Sequence, residues 1–407
     1  KFKLPGGSLF ESQTRDAYLM TNAGLRRRVG PGGETKSLSD LVVADVTGDG
    51  HIDILSVRDQ QAVRIYAGNG NGSYSSFVGM NGFVRPTRAL AVGDVDLDGD
   101  LDLIEGNDGA LSRYYLNGGS GNFGNGHNLN DVARKTQVMV VADVNGDGQP
   151  DVIEGNDQSS DRIYWGSFKK TSSSLFRRSE NISDGSFRTR SISVGDLNAD
   201  GLADLIVGHK DAADQVFVNS LDGSGLGLKN VIGSNSSPTS SVVLGDVDGD
   251  GDLDVLRGLY GQLSLCHLND GTGVFGSDRS TDGVVHNTTS FALGDIDGDG
   301  DIDLAEGIYG ERNRLHFNST EVNATRIVFS TQPGGARYGL PFERPPVVTA
   351  QNLNGVTASN LNGLSVELKS SVGNVSNGVV KMTGGVAIFD ELTLGIVSSD
   401  VTLTATT

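Results

Sequence analysis

The sequence predicts an all-β chain: a seven-bladed β-propeller carrying six acidic loops, followed by a small β-sandwich. Three observations predict it. Strings like "GDVDLDGDLDL" recur six times, with first aspartates at Asp45, Asp94, Asp143, Asp196, Asp246 and Asp295, at intervals of 49, 49, 53, 50 and 49 residues. Each interval holds four short apolar runs joined by Gly/Asn/Asp turns, without sustained helical periodicity. From about Arg326 the repeat stops and a different alternating pattern runs to Thr407. A period near fifty residues marks a repeat architecture, and four strands per repeat is the pattern of a radial blade. One such sheet cannot bury its faces alone; neighbours packed around a ring do so and leave only short edges.

Within each repeat the first strand precedes the acidic string, as in Leu41–Ala44, Val138–Ala142, Ser241–Gly245 and Phe291–Gly294. The second follows it (Leu101–Ile104, Leu202–Val207), and the third follows a polar turn (Arg162–Trp165, Gln215–Val218). A weaker fourth strand is marked by Phe77, Phe123 and Phe275. Residues 1–40 lack an acidic string, yet at an offset of 49 Arg15–Tyr18 aligns with Arg64–Ala67, Leu25–Val29 with a fourth strand and, weakly, Lys3–Ser8 with a second. This is read as a seventh blade without a loop, closed by chain beyond the sixth repeat; six blades is the alternative. The propeller is assigned to 1–325 and the sandwich to 326–407, with strands at Val347–Ala350, Leu364–Leu368, Val379–Met382, Val386–Phe389 and Val401–Ala405. Pro345 and Pro346 precede the first of these, where no ladder donor is yet needed.

Charge narrows the function. Among 407 residues there are 51 acids against 32 Lys and Arg, a formal net charge of −19. Such a surface repels nucleic acid. No apolar run reaches membrane-spanning length, so direct membrane insertion is not expected. The single cysteine, Cys266, allows no internal disulfide and reads as a buried thiol. The chain starts at Lys1 without a methionine or signal peptide, which reads as a processed or truncated product. The acidic strings hold 24 of the 51 acids. Carboxylates packed that tightly repel one another unless a cation lies between them, so they read as ligands.

Aligned string by string, position 1 is always Asp: Asp45, Asp94, Asp143, Asp196, Asp246 and Asp295. Position 3 always carries an oxygen: Thr47, Asp96, Asn145, Asn198, Asp248 and Asp297. Position 5 is Asp49, Asp98, Asp147, Asp200, Asp250 and Asp299, and position 6 is always glycine, which lets the backbone turn. Position 7 varies through His51, Asp100, Gln149, Leu202, Asp252 and Asp301; Leu202 shows that a backbone carbonyl suffices there. Position 9 is Asp53, Asp102, Asp151, Asp204, Asp254 and Asp303. Alternate hard oxygens around a glycine turn suit Ca²⁺, with its six to eight oxygen ligands. Magnesium demands a smaller shell, and zinc prefers clustered His and Cys. About six calcium ions are therefore expected, in a structural role, since such a cage leaves little open coordination for a substrate.

The strings "VVADVTGDGHIDIL", "AVGDVDLDGDLDLIEG", "MVVADVNGDGQPDVIEG", "SVGDLNADGLADLIVG", "VLGDVDGDGDLDVLRG" and "ALGDIDGDGDIDLAEG" resemble the FG-GAP/VCBS repeats of calcium-bearing propellers such as the integrin α head. The tail, through "FSTQPGG", "PPVV" and "GGVAIFDELTL", resembles bacterial immunoglobulin-like modules. The resemblance implies an extracellular or cell-surface chain, and adhesion as a role. It leaves activity open, because the repeats occur in adhesins, lectins and polysaccharide-processing enzymes.

Other residues are less decisive. Glu105, Glu154 and Glu306 precede Arg113, Arg162 and Arg314 by eight residues each, a spacing that predicts cross-strand ion pairs. In the fourth and fifth repeats the pair becomes Val207 with Gln215 and Arg257 with Leu265, and in the first Ser56 with Arg64. The turns between second and third strands vary most, and Tyr260 and Tyr309 occupy equivalent places in two of them, where rings suit sugar or protein surfaces. Trp165 reads as blade core. His51, His127, His209, His267, His286 and His316 show no metal-ligand or acid–base spacing, and no nucleophile motif is present. The sequence selects no catalytic residue. The expected function is binding or adhesion to a glycan or extracellular protein through variable loops. The alternatives are a structural subunit packing against neighbouring copies in a filament or coat, and a polysaccharide-processing enzyme.

Overall fold

A computed structural model of the chain describes the backbone of 9–11, 17–21 and 24–28, and residues 38–407 apart from 59, 76–77, 81–83, 130–131, 168–174, 177, 183–184, 221–224, 235–237, 299, 319–325, 352–356, 359–362, 396–401 and 407. The described residues form strands and turns with no helix, and so no helix long and apolar enough to cross a membrane. They divide into two compact units: 1–246 with 252–293 and 304–316, and 247–251 with 294–303 and 317–407.

Each repeat in the first unit is an antiparallel meander. First strands lie at Leu38–Ala44, Thr87–Gly93, Arg134–Ala142, Thr189–Gly195 and Thr239–Gly245, and the sixth is the end of the long strand Arg279–Gly294. Second strands begin at position 9 of the acidic string: Asp53–Arg58, Asp102–Ala110, Asp151–Asn156, Asp204–His209, the start of Asp254–His267, and Asp303–Ile308. Third strands include Arg64–Tyr66, Arg113–Tyr115, Arg162–Trp165, Asp214–Val218 and Arg314–His316. The second strands are nearly continuous apolar text because both faces are covered; Leu55, Leu103, Ile104, Val152, Ile153, Leu205 and Ile206 have no exposed surface. Their contacts run between repeats: Leu90 and Leu103 of the second share a core with Leu55 and Ile65 of the first, and Ile192 and Leu205 of the fourth with Ile153 and Ile163 of the third.

Side chains stitch the inner strands together. The Asp40 carboxylate accepts the Leu90 amide at 2.7 Å, the Ser191 hydroxyl the Val242 amide at 3.0 Å, and the Ser241 hydroxyl the Phe291 amide at 3.0 Å. Repeats two and three are further joined into one eight-stranded sheet where Ala110 faces Arg134.

Two expectations change. Phe123 and Phe275 sit in turns, bridging Asn117 and Asn269, and the fourth strands follow them at His127–Asn128 and from Arg279. These rings fill gaps between repeats instead of marking a strand; Phe77 lies outside the described residues. Cys266 is half-buried, not buried. At the N-terminus the described strands Leu9–Glu11, Ala17–Thr21 and Gly24–Arg28 make a three-stranded antiparallel sheet. The strand expected at Lys3–Ser8 falls outside the described residues.

In the second unit, Arg326–Thr331, Val347–Gln351 and Val386–Ile388 form one sheet. Val379–Lys381, Ser365–Ser370 and Leu403–Thr406 form another. Val348, Ala350 and Ala387 from the first share a core with Val366, Leu368 and Met382 on the second side, together with Phe389 and Leu392. Trp165 is only partly buried, against the core between repeats three and four.

Candidate functional site

The repeats have two ends with different chemistry. At one end the acidic string connects first to second strand, in the same register each time: Ala44 faces Asp53, Gly93 faces Asp102, Ala142 faces Asp151, Gly195 faces Asp204 and Gly245 faces Asp254. In the first four strings the position 1 carboxylate accepts the amides of positions 5 and 6, as Asp94 does from Asp98 at 3.0 Å and Gly99 at 2.9 Å. Position 5 accepts the amide of position 7, as Asp147 does from Gln149 at 2.8 Å. The glycines at position 6 have φ between 83° and 101°. Position 4 is also left-handed in all six, including Leu97 (φ 56°) and Ala199 (φ 57°). A non-glycine residue there costs about 1–2 kcal/mol, so the loop shape is enforced even where glycine is missing.

Position 9 is a buried pin. One oxygen of Asp102 accepts the Val95 amide at 3.0 Å and the other the Asn117 amide at 2.8 Å. Asp53, Asp151, Asp204 and Asp303 repeat the arrangement with the residues one place after the first loop aspartate and fifteen places after themselves. Burial, with the neighbouring loop carboxylates adding to it, pushes Asp102 up to about 7 and Asp151 up to about 6 despite these donors. Position 7 side chains leave the loop: a Cβ added at Gly70, Gly119 or Gly271 would lie 2.5–2.7 Å from His51, Asp100 or Asp252. Only their backbone can serve an ion in the loop, which explains Leu202.

Carboxylate oxygens converge within 4.8 Å of one another at Asp94, Asp96 and Asp102, at Asp246, Asp248 and Asp250, and at Asp295, Asp297 and Asp303. In the first, third and fourth strings position 3 is Thr47, Asn145 or Asn198, which leaves three acids per loop. Asp299 lies outside the described residues.

A residue missed from the sequence completes this end. The amides of Asn117, Asn219, Asn269 and Asn318 bond position 9, while their side chains cross to position 2 of the preceding string: Asn117 to the Val46 carbonyl at 2.8 Å, Asn219 to Val144 at 2.6 Å, Asn269 to Leu197 at 2.8 Å and Asn318 to Val247 at 2.6 Å. The repeated "LN", "VN" or "FN" after the third strand was the available signal. Repeats one and three have Gly68 and Gly166 there, and a Cβ would come within 2.2 Å of the Ile52 oxygen and 2.5 Å of the Pro150 oxygen.

The opposite end varies. Thr87, Thr136, Thr189, Thr239 and Thr288 are buried in successive first strands, the first four of them at a register shift. Their hydroxyls meet three kinds of partner: Asn107 for Thr87, the second-strand glutamates Glu154 and Glu306 for Thr136 and Thr288, and Asp161 and Asp214 of the preceding repeat for Thr189 and Thr239. Glu105, Glu154 and Glu306 do face Arg113, Arg162 and Arg314 across the hairpin. Their close contacts are nevertheless with the residue ten places on: Tyr115 at 2.7 Å, Tyr164 at 2.7 Å and His316 at 2.9 Å. Arg162 instead donates to Ser179 and Asn181, and Arg314 to Asp282. The predicted ion pairs are thus replaced by diagonal hydrogen bonds, because the glutamates are drawn into the buried polar layer. In repeat five the glutamate becomes Arg257, fully buried and 2.6 Å from Asp214. Burial raises Asp214 more than Arg257 lowers it, and burial pushes Asp161 up to about 7.

Two further features stand at this end. Tyr260 and Tyr309 are 45% and 47% exposed, with ring centroids 6.4 Å apart. Both are held by Asn287: Tyr260 pairs with it across the strands, and the Tyr309 amide donates to its carbonyl at 2.9 Å. Next to Asn287, His286 lies within 3.2 Å of Asp282 and 3.3 Å of Glu311.

Solved structures with a similar backbone include Raptor of Chaetomium thermophilum, at 12% identity and a TM-score of 0.51, over 77% of this chain and 28% of that one. BBS1N in complex with ARL6DN matches at 13% identity and a TM-score of 0.49, over 77% of this chain and 89% of that one. The first likeness concerns fold alone, and this chain spans under a third of that protein's length. A search of curated proteins gave no match. The FG-GAP-like repeat pattern matches residues 45–105, 94–154, 143–207 and 196–257. Those matches run from Asp45 to Arg257, more than half of the 407 residues, and with the all-β architecture they make the chain a member of the FG-GAP-like repeat family with a β-propeller-like fold.

Proposed function

We propose that the chain is a calcium-stabilised extracellular binding module that recognises a glycan through the variable end of its repeats. Tyr260 and Tyr309 carry the reading. Two exposed rings at equivalent places in successive repeats, fixed by one asparagine, form a surface on which the apolar face of a sugar can rest. Asn287 would supply hydrogen bonds to hydroxyls. The blades would number seven, with the N-terminal three-stranded sheet as the loop-free one, and the tail would be an immunoglobulin-like spacer.

The acidic end fits calcium by its donors. Positions 1, 3, 5 and 9 offer side-chain oxygens and position 7 a carbonyl, all hard ligands. Thr47 Oγ1 is buried and makes no hydrogen bond, which leaves its lone pairs to a cation. The ions would hold the connection between first and second strands and take no part in ligand chemistry.

A glycan array probed with the labelled 407-residue chain, in calcium and in chelator, tests this. Binding to a related set of glycans that Tyr260→Ala and Tyr309→Ala abolish, with melting unchanged, is the expected result. No glycan binding, or binding indifferent to both tyrosines, overturns the assignment and moves weight to a protein ligand.

A further inference from the structure

We infer that the sixth repeat holds a second kind of metal site, for a zinc-like divalent transition ion, built from Asp282, His286, Glu306 and His316. It is separate from the acidic strings and independent of the glycan reading. Ligand atoms of Asp282, His286 and Glu306 lie within 4.8 Å of one another. His286 Nε2 is 3.2 Å from Asp282 Oδ2, and His316 Nε2 is 2.9 Å from Glu306 Oε2. Two imidazoles and two carboxylates are a donor set for zinc and its neighbours, and not for calcium. With metal–ligand bonds of about 2.1 Å, tetrahedral neighbours stand about 3.4 Å apart, so small side-chain movements would seat an ion.

Comparison between repeats supplies a second observation. Glu105 and Glu154 are met by a tyrosine hydroxyl, from Tyr115 and Tyr164, and by an arginine two places before the buried threonine. Those arginines are Arg85, whose charge acts on Glu105, and Arg134, 3.8 Å from Glu154. At the same two places the sixth repeat has His316 and His286. The buried glutamate is kept, but its arginine and its hydroxyl are both exchanged for imidazoles. A bound divalent ion restores the positive charge that the arginine supplies elsewhere.

A third observation is His286 Nδ1, a nitrogen of a side chain 4% exposed that makes no hydrogen bond. It points toward Glu311, with Oε2 at 3.3 Å. A metal on Nε2 fixes the proton on Nδ1 and turns it to a carboxylate, the usual outer partner of a metal-bound histidine. Arg314, 3.2 Å from Asp282 Oδ2, anchors that carboxylate from outside.

The test is titration of the full chain with Zn²⁺ in saturating Ca²⁺, followed by calorimetry, and with Co²⁺, followed by visible absorption. One tightly bound ion per chain is expected, with the strong visible bands of four-coordinate cobalt. The variants His316→Tyr and His286→Arg copy the groups used in repeats two and three, so they keep the fold. Each should weaken zinc at least tenfold, and together they should abolish the cobalt spectrum with melting unchanged. Absence of a stoichiometric zinc ion above calcium, or zinc binding equal in wild type and the double variant, overturns the site.

Discussion

The two ends of the repeats follow opposite rules. At the acidic end five described registers coincide, and the position 9 aspartate makes the same two amide contacts in repeat after repeat. At the other end the buried threonine of the second to sixth first strands meets three kinds of partner: an asparagine, a glutamate of its own repeat, or an aspartate of the preceding one. Uniformity is what a shared structural demand produces. Variation within a fixed frame is what lets one surface present distinct groups, and the exposed tyrosines and the histidine cluster both occur there. On the proposed reading, scaffold and recognition are divided between the ends of the same strands.

The division can be broken first at the acidic end. Chelation of calcium should give the largest effect, because each site filled at a hundred times its dissociation constant contributes about 2.7 kcal/mol. A melt recorded in EGTA should fall far below one in calcium; coincident curves would refute the cation role. Next, Asp151→Ala should strand the buried amides of Val144 and Gly166 and cost about 2–4 kcal/mol, read by urea unfolding. Asn269→Ala, which frees the carbonyls of Leu197 and Leu253 and the Gly273 amide, should cost about 1–3 kcal/mol in the same assay.

The variable end should respond to pH instead. The folded-state pKa of Asp161 is raised to about 7 by burial. The unfolded chain then holds fewer protons than the folded one between about pH 4 and 7. Stability from this group is present at the acid side of that window and lost as pH rises through it. Asp161→Asn should therefore remove part of the loss, so that the variant gains on wild type between pH 5 and pH 8 in denaturant titrations. An identical difference at both pH values would show that the carboxyl is not held neutral.

Much of the frame was legible because its causes are local. The repeat interval, the left-handed glycine of position 6 and the strand at Arg162–Trp165 follow from residues adjacent in the chain. The tail strands were readable from alternation, but Arg326–Thr331 was missed because "RIVFST" lies where the repeat fails. What the sequence hid depends on distance. His286 and His316 are thirty residues apart, and only the pairing of three strands brings them to Glu306 and Asp282. The Glu–Arg spacing was real as register, yet burial decided which diagonal neighbour the carboxylate takes. The asparagine clasps were hidden for the same reason.

Those clasps point one way along the chain. Each asparagine reaches back 71 to 75 residues, to a string already made. For a polypeptide emerging from the ribosome, a loop is therefore finished only when the third strand of its successor arrives. The clasps thus act as a ratchet from N- to C-terminus, in which a repeat locks the loop of its predecessor. At Gly166 the ratchet lacks a tooth, and repeats two and three are joined at their other end by the pairing of Ala110 with Arg134.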